Sequence, residues 1–188
     1  MNATQQFGTL LAFSLGLLAA GTVPAFGQDV TVEATREGDY IVIEASAELQ
    51  ADVRVVWQTL SDYDRLAEFI PNLKSSRVLA RTAEGVVVEQ QGEYSFLFFS
   101  QPVEVRLLVV ESPPHRIVSR AINGSFREMT GSYELSPVAG GVRLRYSGRM
   151  RPDFDLPPVF GVVAARVAAH RQFRGMVDEI MRRAATAR

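Results

Sequence analysis

The sequence predicts an α+β fold: one curved antiparallel sheet of six to seven strands around a long C-terminal helix, with two short helices after the first strand. Three observations carry this. Apolar and polar residues alternate with period two over most of residues 40–150, the pattern of strands with one buried face. The breaks between these runs are short and rich in Gly, Pro, Asn and Ser, which implies hairpins and antiparallel pairing. The last stretch instead carries apolar residues at helical spacing.

In chain order, "VTVEATREGDYIVIEASAEL" puts Ile41, Ile43, Ala45, Ala47 and Leu49 on one face, and Val42, Glu44, Ser46 and Glu48 on the other. "REGD" (36–39) reads as a turn before this strand. Val53, Val56, Trp57 and Leu60 then fall at i, i+3, i+4 and i+7, the stripe of an amphipathic helix. Tyr63, Leu66, Ala67 and Ile70 repeat the spacing out of phase, so a second short helix follows a break near Ser61-Asp62. There Asp62 suits the N-cap and Asp64 the first turn. Pro71 ends that helix. Strands are expected over 73–81, 86–99, 102–111, 115–122, 126–136 and 142–150, separated by "TAEG", "SQP", "SPPH", "NGS" and "PVAGG". Pro157 and Pro158 suit a helix start, and the helix runs to about Ala185. Val163, Val167, His170, Phe173, Val177, Ile180 and Ala184 line one side of it.

Composition narrows the function classes. The 188 residues carry a net charge of −1, so no global field favours nucleic acid. Residues 143–188 nevertheless hold 10 Arg against 4 Asp/Glu, while residues 28–142 hold 10 Lys/Arg against 17 Asp/Glu. The C-terminal helix thus carries a basic face, which reads as a solvated surface or a docking face for anionic headgroups. The chain has no cysteine, which excludes disulfides, thiolate chemistry and a diacylglyceryl anchor. Residues 1–27 contain no charged side chain, and an apolar run over 7–23 leads into "PAFGQD". Ala25 and Gly27 fit an A-x-A-like cleavage site. The expected organisation is a signal peptide over 1–27 and one domain over 28–188, periplasmic or secreted. An uncleaved N-terminal membrane anchor is the alternative, because the run is just short of a span and the leader lacks Lys and Arg.

Four short motifs resemble a family. Val56-Trp57, Leu60-Ser61-Asp62, Phe69-Ile70-Pro71 and Ser76-Arg77-Val78 are similar to the opening signature of the START-like (SRPBCC) polyketide cyclase/dehydrase and lipid-transport group, which includes coenzyme-Q-binding proteins. "GSFREMTGSYELSPVAGGVRLRY" (124–146) resembles its long late hairpin. The resemblance spans residues 30–185. It implies the helix-grip (START-like) fold and a hydrophobic small molecule or lipid held between sheet and helix. The fold hosts binders, transfer proteins and cyclases, so it does not by itself choose among them.

Alternation gives the expected inner face. Val86, Val88, Gln90, Gly92, Tyr94 and Phe96 share one side of their strand, and Val103, Val105, Leu107 and Val109 that of the next. Ile117, Ser119 and Ala121 follow, then Met129, Gly131, Tyr133 and Leu135, then Val142, Leu144, Tyr146 and Gly148. The expected ligand-binding residues are Val88, Gln90, Tyr94, Phe96, Val105, Leu107, Ser119, Met129, Tyr133, Leu144, Tyr146, Val163, Val167, His170 and Phe173. This list holds no carboxylate, Lys or Arg, as burial costs demand. It therefore lacks the paired acids of general acid/base catalysis, and no catalytic residue is assigned. If the chain is an enzyme, His170, Tyr94 and Tyr133 are the candidates. His170 reads either as a rim or core histidine or as an acid/base group. The tyrosines read as core aromatics or as groups that orient a ligand. "YSFLFF" (94–99) reads as a hairpin continuation or a lipid-facing rim. Two dispersed histidines make no metal site, and no cofactor is expected.

Three functions fit: an exported binding or transfer protein for a hydrophobic molecule or lipid; a small cyclase, dehydratase or isomerase on the same fold; and an adaptor docking a membrane or partner through the Arg-rich helix. Expected partners are the hydrophobic ligand and a transient membrane contact, with no nucleic acid, for a monomer.

Overall fold

The structure, a computed structural model, describes residues 29–96, 99–154 and 160–187, with backbone only at 94–96, 99 and 160. Strands β1 (Val30–Glu37) and β2 (Tyr40–Leu49) lead into helix α1 (Val53–Leu60) and a 3-10 helix (Tyr63–Glu68). Strands β3 (Leu73–Thr82), β4 (Gly85–Phe96), β5 (Phe99–Ser112), β6 (Arg116–Gly124), β7 (Phe126–Val138) and β8 (Gly141–Pro152) follow, then helix α2 (Phe160–Thr186). All eight strands form one antiparallel sheet in the order β1-β2-β8-β7-β6-β5-β4-β3, and α2 crosses it against β1 and β2.

The expected class holds, with one strand more than the six to seven expected. The extra strand is β1, which folds back on β2 across the "REGD" turn, with Val30 opposite Ala47 and Glu37 opposite Tyr40. Gly38 takes φ 61° there, a conformation that suits glycine. The turn expected at "SQP" is displaced: β5 already runs through Ser100, Gln101 and Pro102, and Phe96 pairs with Phe99. The leader, its cleavage site, the rival anchor and the Pro157-Pro158 helix start lie outside the described residues. Among the described residues no helix is long and apolar enough to cross a membrane.

The core realises the alternation. Ile41, Ile43, Ala45, Ala47 and Leu49 are all buried, and Val88, Leu144, Val177 and Ile180 are wholly so. On the outer face of β4, Glu89 is also buried; Arg77 and Arg106 on the flanking strands both bind its carboxylate. The hydrogen bond from Arg77, then that from Arg106, holds its pKa below the usual carboxylate range.

The segment after α1 departs from expectation in detail. Asp52, which the periodicity did not single out, is the side-chain cap of α1, accepting from the Arg54 amide at 2.7 Å. Asp62 makes no side-chain cap bond, and the second helix is 3-10. Asp62 instead meets Arg183 of α2 at 2.9 Å. Asp64 is in the first turn of the 3-10 helix, as expected, and its carboxylate also accepts from the Val78 amide at 2.8 Å. Tyr63 is buried and donates to Glu111 at 2.7 Å. A lone charged side chain caps or cross-links according to which donor lies nearest, and these donors come from 14 to 121 residues away, beyond the reach of local spacing. Close approach by α2 is possible because position 175 is glycine: a Cβ there would lie 2.5 Å from the Phe69 carbonyl oxygen and 2.7 Å from Pro71 Cδ.

Candidate functional site

A partly enclosed cavity of about 200 Å³ lies between the concave face of the sheet and the N-terminal half of α2. Its floor follows the cross-strand register. One row is Ala45, Tyr146 and Tyr133; another is Ile41, Met150 and Met129. Between them Gly148 and Gly131 face each other across β8 and β7, beside Ile43 and Ser119. This glycine pair makes a trough for the Tyr146 ring. A Cβ on Gly148 would lie 2.4 Å from Tyr146 Oη, and one on Gly131 would lie 3.1 Å from it. Gly148→Ala must therefore displace the ring into the cavity. We expect that variant to fold but to lose most ligand capacity, as measured by apolar-probe titration; unchanged capacity would show that the ring position is irrelevant.

The roof follows from residue size. Ala165, Ala168, Ala169, Gln172 and Phe173 of α2 face the space. Alanines on the inward side leave a void that larger side chains would fill. The expected stripe drifts off this face at its N-terminal end because it followed the bulkier valines. Val163, Val167 and His170 are not on the cavity lining and border a separate outer depression, and Val163 is 50% exposed. His170 is exposed as well. Phe173 does line the cavity and is buried.

Of the other expected residues, Gln90, Val105, Met129, Tyr133 and Tyr146 line the cavity. Val88, Leu107 and Leu144 face inward but are packed into solid core beyond it. Ser119 also faces inward, but its hydroxyl reaches the Gly131 carbonyl at 3.4 Å and it is not on the lining. The side chains of Tyr94 and Phe96, and the "YSFLFF" rim, lie outside the described residues. Spacing missed Asn72, Glu93 and Gln172, which bring polar groups to the lining. Glu93 corrects the expectation of a carboxylate-free face. It is tied to Lys74 at 2.8 Å and Ser100 at 2.6 Å, and the Lys74 hydrogen bond, ahead of that from Ser100, lowers its pKa. Burial costs forbid an unpaired inward charge, whereas a paired one at a rim is tolerated. Among the described residues no three His, Asp or Glu side chains gather as metal ligands would.

The tyrosines set the chemistry. The Tyr133 and Tyr146 rings are cross-strand partners with centroids 4.9 Å apart. Neither hydroxyl has a hydrogen-bond partner among the described residues. Burial, with Glu44 adding to it, pushes the Tyr146 phenol up to about 12, and burial also raises that of Tyr133. Both are therefore protonated at neutral pH, available as donors and poor as bases. Because these folded-state values exceed the ordinary one, they stabilise the fold below about pH 10 and lose that contribution as pH rises toward the folded value. Phenolate absorbance should show a late alkaline step that coincides with unfolding and shrinks in Tyr133→Phe and Tyr146→Phe. An early, reversible step from both residues would contradict their burial.

The matching family model is "Polyketide cyclase / dehydrase and lipid transport", over residues 40–187. No curated protein matches the chain at a significant level. Among solved structures, a STAR-related lipid transfer protein from Xanthomonas axonopodis superposes with a TM-score of 0.63 at 15% identity, covering 83% of this chain and 94% of that one. A START superfamily protein from Mycobacterium smegmatis gives 0.61 at 14%, covering 78% and 99%. The Zhui aromatase/cyclase from a Streptomyces gives 0.60 at 13%, covering 78% and 94%. At such identities the likeness is one of fold.

Proposed function

This chain belongs to the polyketide cyclase/dehydrase and lipid transport family, and on that premise we propose that it binds a hydrophobic small molecule or lipid between sheet and α2 and carries it, without transforming it. The observation that carries the reading is the cavity itself: about 200 Å³, lined chiefly by aliphatic, Met and aromatic side chains, with two donor hydroxyls at Tyr133 and Tyr146. An apolar pocket with a few convergent polar groups is the usual form of a small-molecule site. An engineered apolar void of about 150 Å³ takes up benzene, so this one encloses a ring-sized group or a chain end, and the rest of a longer ligand extends through its open side. A ligand carbonyl or hydroxyl oxygen accepts from the two phenols. Similarity to a lipid transfer protein supports carriage. The exposure of His170 weakens the acid/base alternative.

Titration with an NBD-labelled fatty acid and with a series of ring compounds tests the reading. Saturable uptake of at least one probe, with transfer between vesicles, is expected. Turnover of a bound compound, or no uptake of any, overturns it. Export is part of the same proposal and rests on the uncharged apolar leader with small Ala25 and Gly27. N-terminal sequencing of periplasmic protein should begin near Gln28; intact chain in the cytosol would refute it.

A further inference from the structure

The residues that the helical spacing directed inward, Val163, Val167 and His170, form with Arg166 and Arg171 a strip on the outer side of α2. We propose that this strip is a docking face for an anionic lipid bilayer. Four observations carry it. First, the depression there is lined by Val162, Val163 and Val167, with Ala34 of the edge strand β1, and by the side chains of Arg166 and Arg171. Second, Val163 is 50% exposed, one of few large apolar side chains left in solvent among the described residues. Third, residues 160–173 contain Arg166 and Arg171 and no Asp or Glu, and among the described residues the lining of the depression contains no carboxylate. Arg166 binds the Val32 carbonyl through Nε, and Arg171 has no partner among the described residues. Fourth, the strip adjoins the cavity. A second depression shares Val162 with it and shares Ile41 and Phe154 with the cavity lining. Among the described residues the carboxylates at that boundary are Asp39 and Asp153, the latter paired with Arg127.

Aliphatic side chains level with the stems of arginines are what an interfacial helix face presents to a membrane: the valines enter the headgroup boundary and the guanidinium groups meet phosphates. A protein partner would be expected to find aromatic anchors there, and among the described residues the lining of this strip has none. Docked on this face, the protein brings one end of its cavity toward the lipid. The geometry does not depend on which ligand the cavity takes, and the test reads vesicle binding alone.

The test is co-flotation of the full chain with vesicles of phosphatidylcholine, pure or containing about a third phosphatidylglycerol. The excess binding to the anionic vesicles cancels any contribution common to both. It should fall in high salt, since surface charge is screened. Each cation near an anionic surface contributes about fivefold. Arg171→Glu should thus weaken the excess at least tenfold, and Val163→Asp should weaken it severalfold. Arg145→Glu, on the exposed outer face of β8, changes net charge equally and should leave binding within twofold. Equal loss in Arg145→Glu and Arg171→Glu would reduce the effect to net charge and overturn the proposal. So would equal binding to both vesicles, or no binding to either.

Discussion

Ala169→Phe is expected to abolish ligand uptake while leaving the fold intact. Ala169 is on the α2 side of the cavity, across from the sheet floor, and a phenyl ring there occupies the space a ligand would take. The side chain gains contacts from an existing void, so the change in unfolding free energy should stay within the range of about 1–3 kcal/mol typical of small-to-large substitutions. Affinity should fall about a hundredfold, which is about 2.7 kcal/mol. Fluorescence titration and chemical denaturation, run on the same preparation, separate the two effects. Undiminished uptake would place the ligand elsewhere. Loss of both uptake and fold would leave Gly148→Ala, which narrows the cavity from the opposite wall, as the independent check.

The second large effect concerns Arg183. Its guanidinium bridges Asp62 at 2.9 Å and Glu179 at 2.7 Å, and stands 5.5 Å from the Phe69 ring centre. It thereby fastens the 3-10 segment to α2 near the end of the grip. Arg182 holds the same Glu179 carboxylate at 2.7 Å, and Arg65 reaches Asp62 at 3.8 Å. Replacing Arg183 with Leu leaves Glu179 to Arg182 and Asp62 to the more distant Arg65 alone, and should cost about 2 kcal/mol in denaturant unfolding. A cost below about 0.5 kcal/mol would class the network with ordinary surface pairs. The pH dependence follows from Glu179, whose pKa is held down to about 2, first by the Arg182 hydrogen bond and then by Arg183. A depressed folded value stabilises above the ordinary carboxylate range and loses that contribution as pH falls from about 4.5 toward 2. Glu179→Gln should be less stable at neutral pH and should show a shallower acid limb.

The strands were legible because a sheet with one buried face imposes period two, and Ile41 to Leu49 follow it without interruption. The grip was legible from the terminal helix. Orientation along that helix was not, because hydrophobicity marks burial only where space is filled. Here the inward side at the cavity carries Ala165, Ala168 and Ala169, and the larger Val163 and Val167 face outward. Most of the floor could be read by alternation, including Gln90, Met129, Tyr133 and Tyr146. The boundary between cavity and solid core could not, since Val88 and Leu144 share the inward parity of true lining residues and differ only in what packs over them. Glu93 escaped because its partner, Lys74, comes from the neighbouring strand. Asp62, read from local spacing as an N-cap, is a cross-link to α2, and Asp64, in the first turn as expected, also ties that turn to β3.

Native mass spectrometry of the protein isolated from its own cells tests the central claim most directly. A discrete non-covalent adduct, extractable into organic solvent and absent from Ala169→Phe prepared alongside, is the predicted result. Bare protein in every preparation, or an adduct that Ala169→Phe retains in full, would contradict the assignment of the cavity as the ligand site.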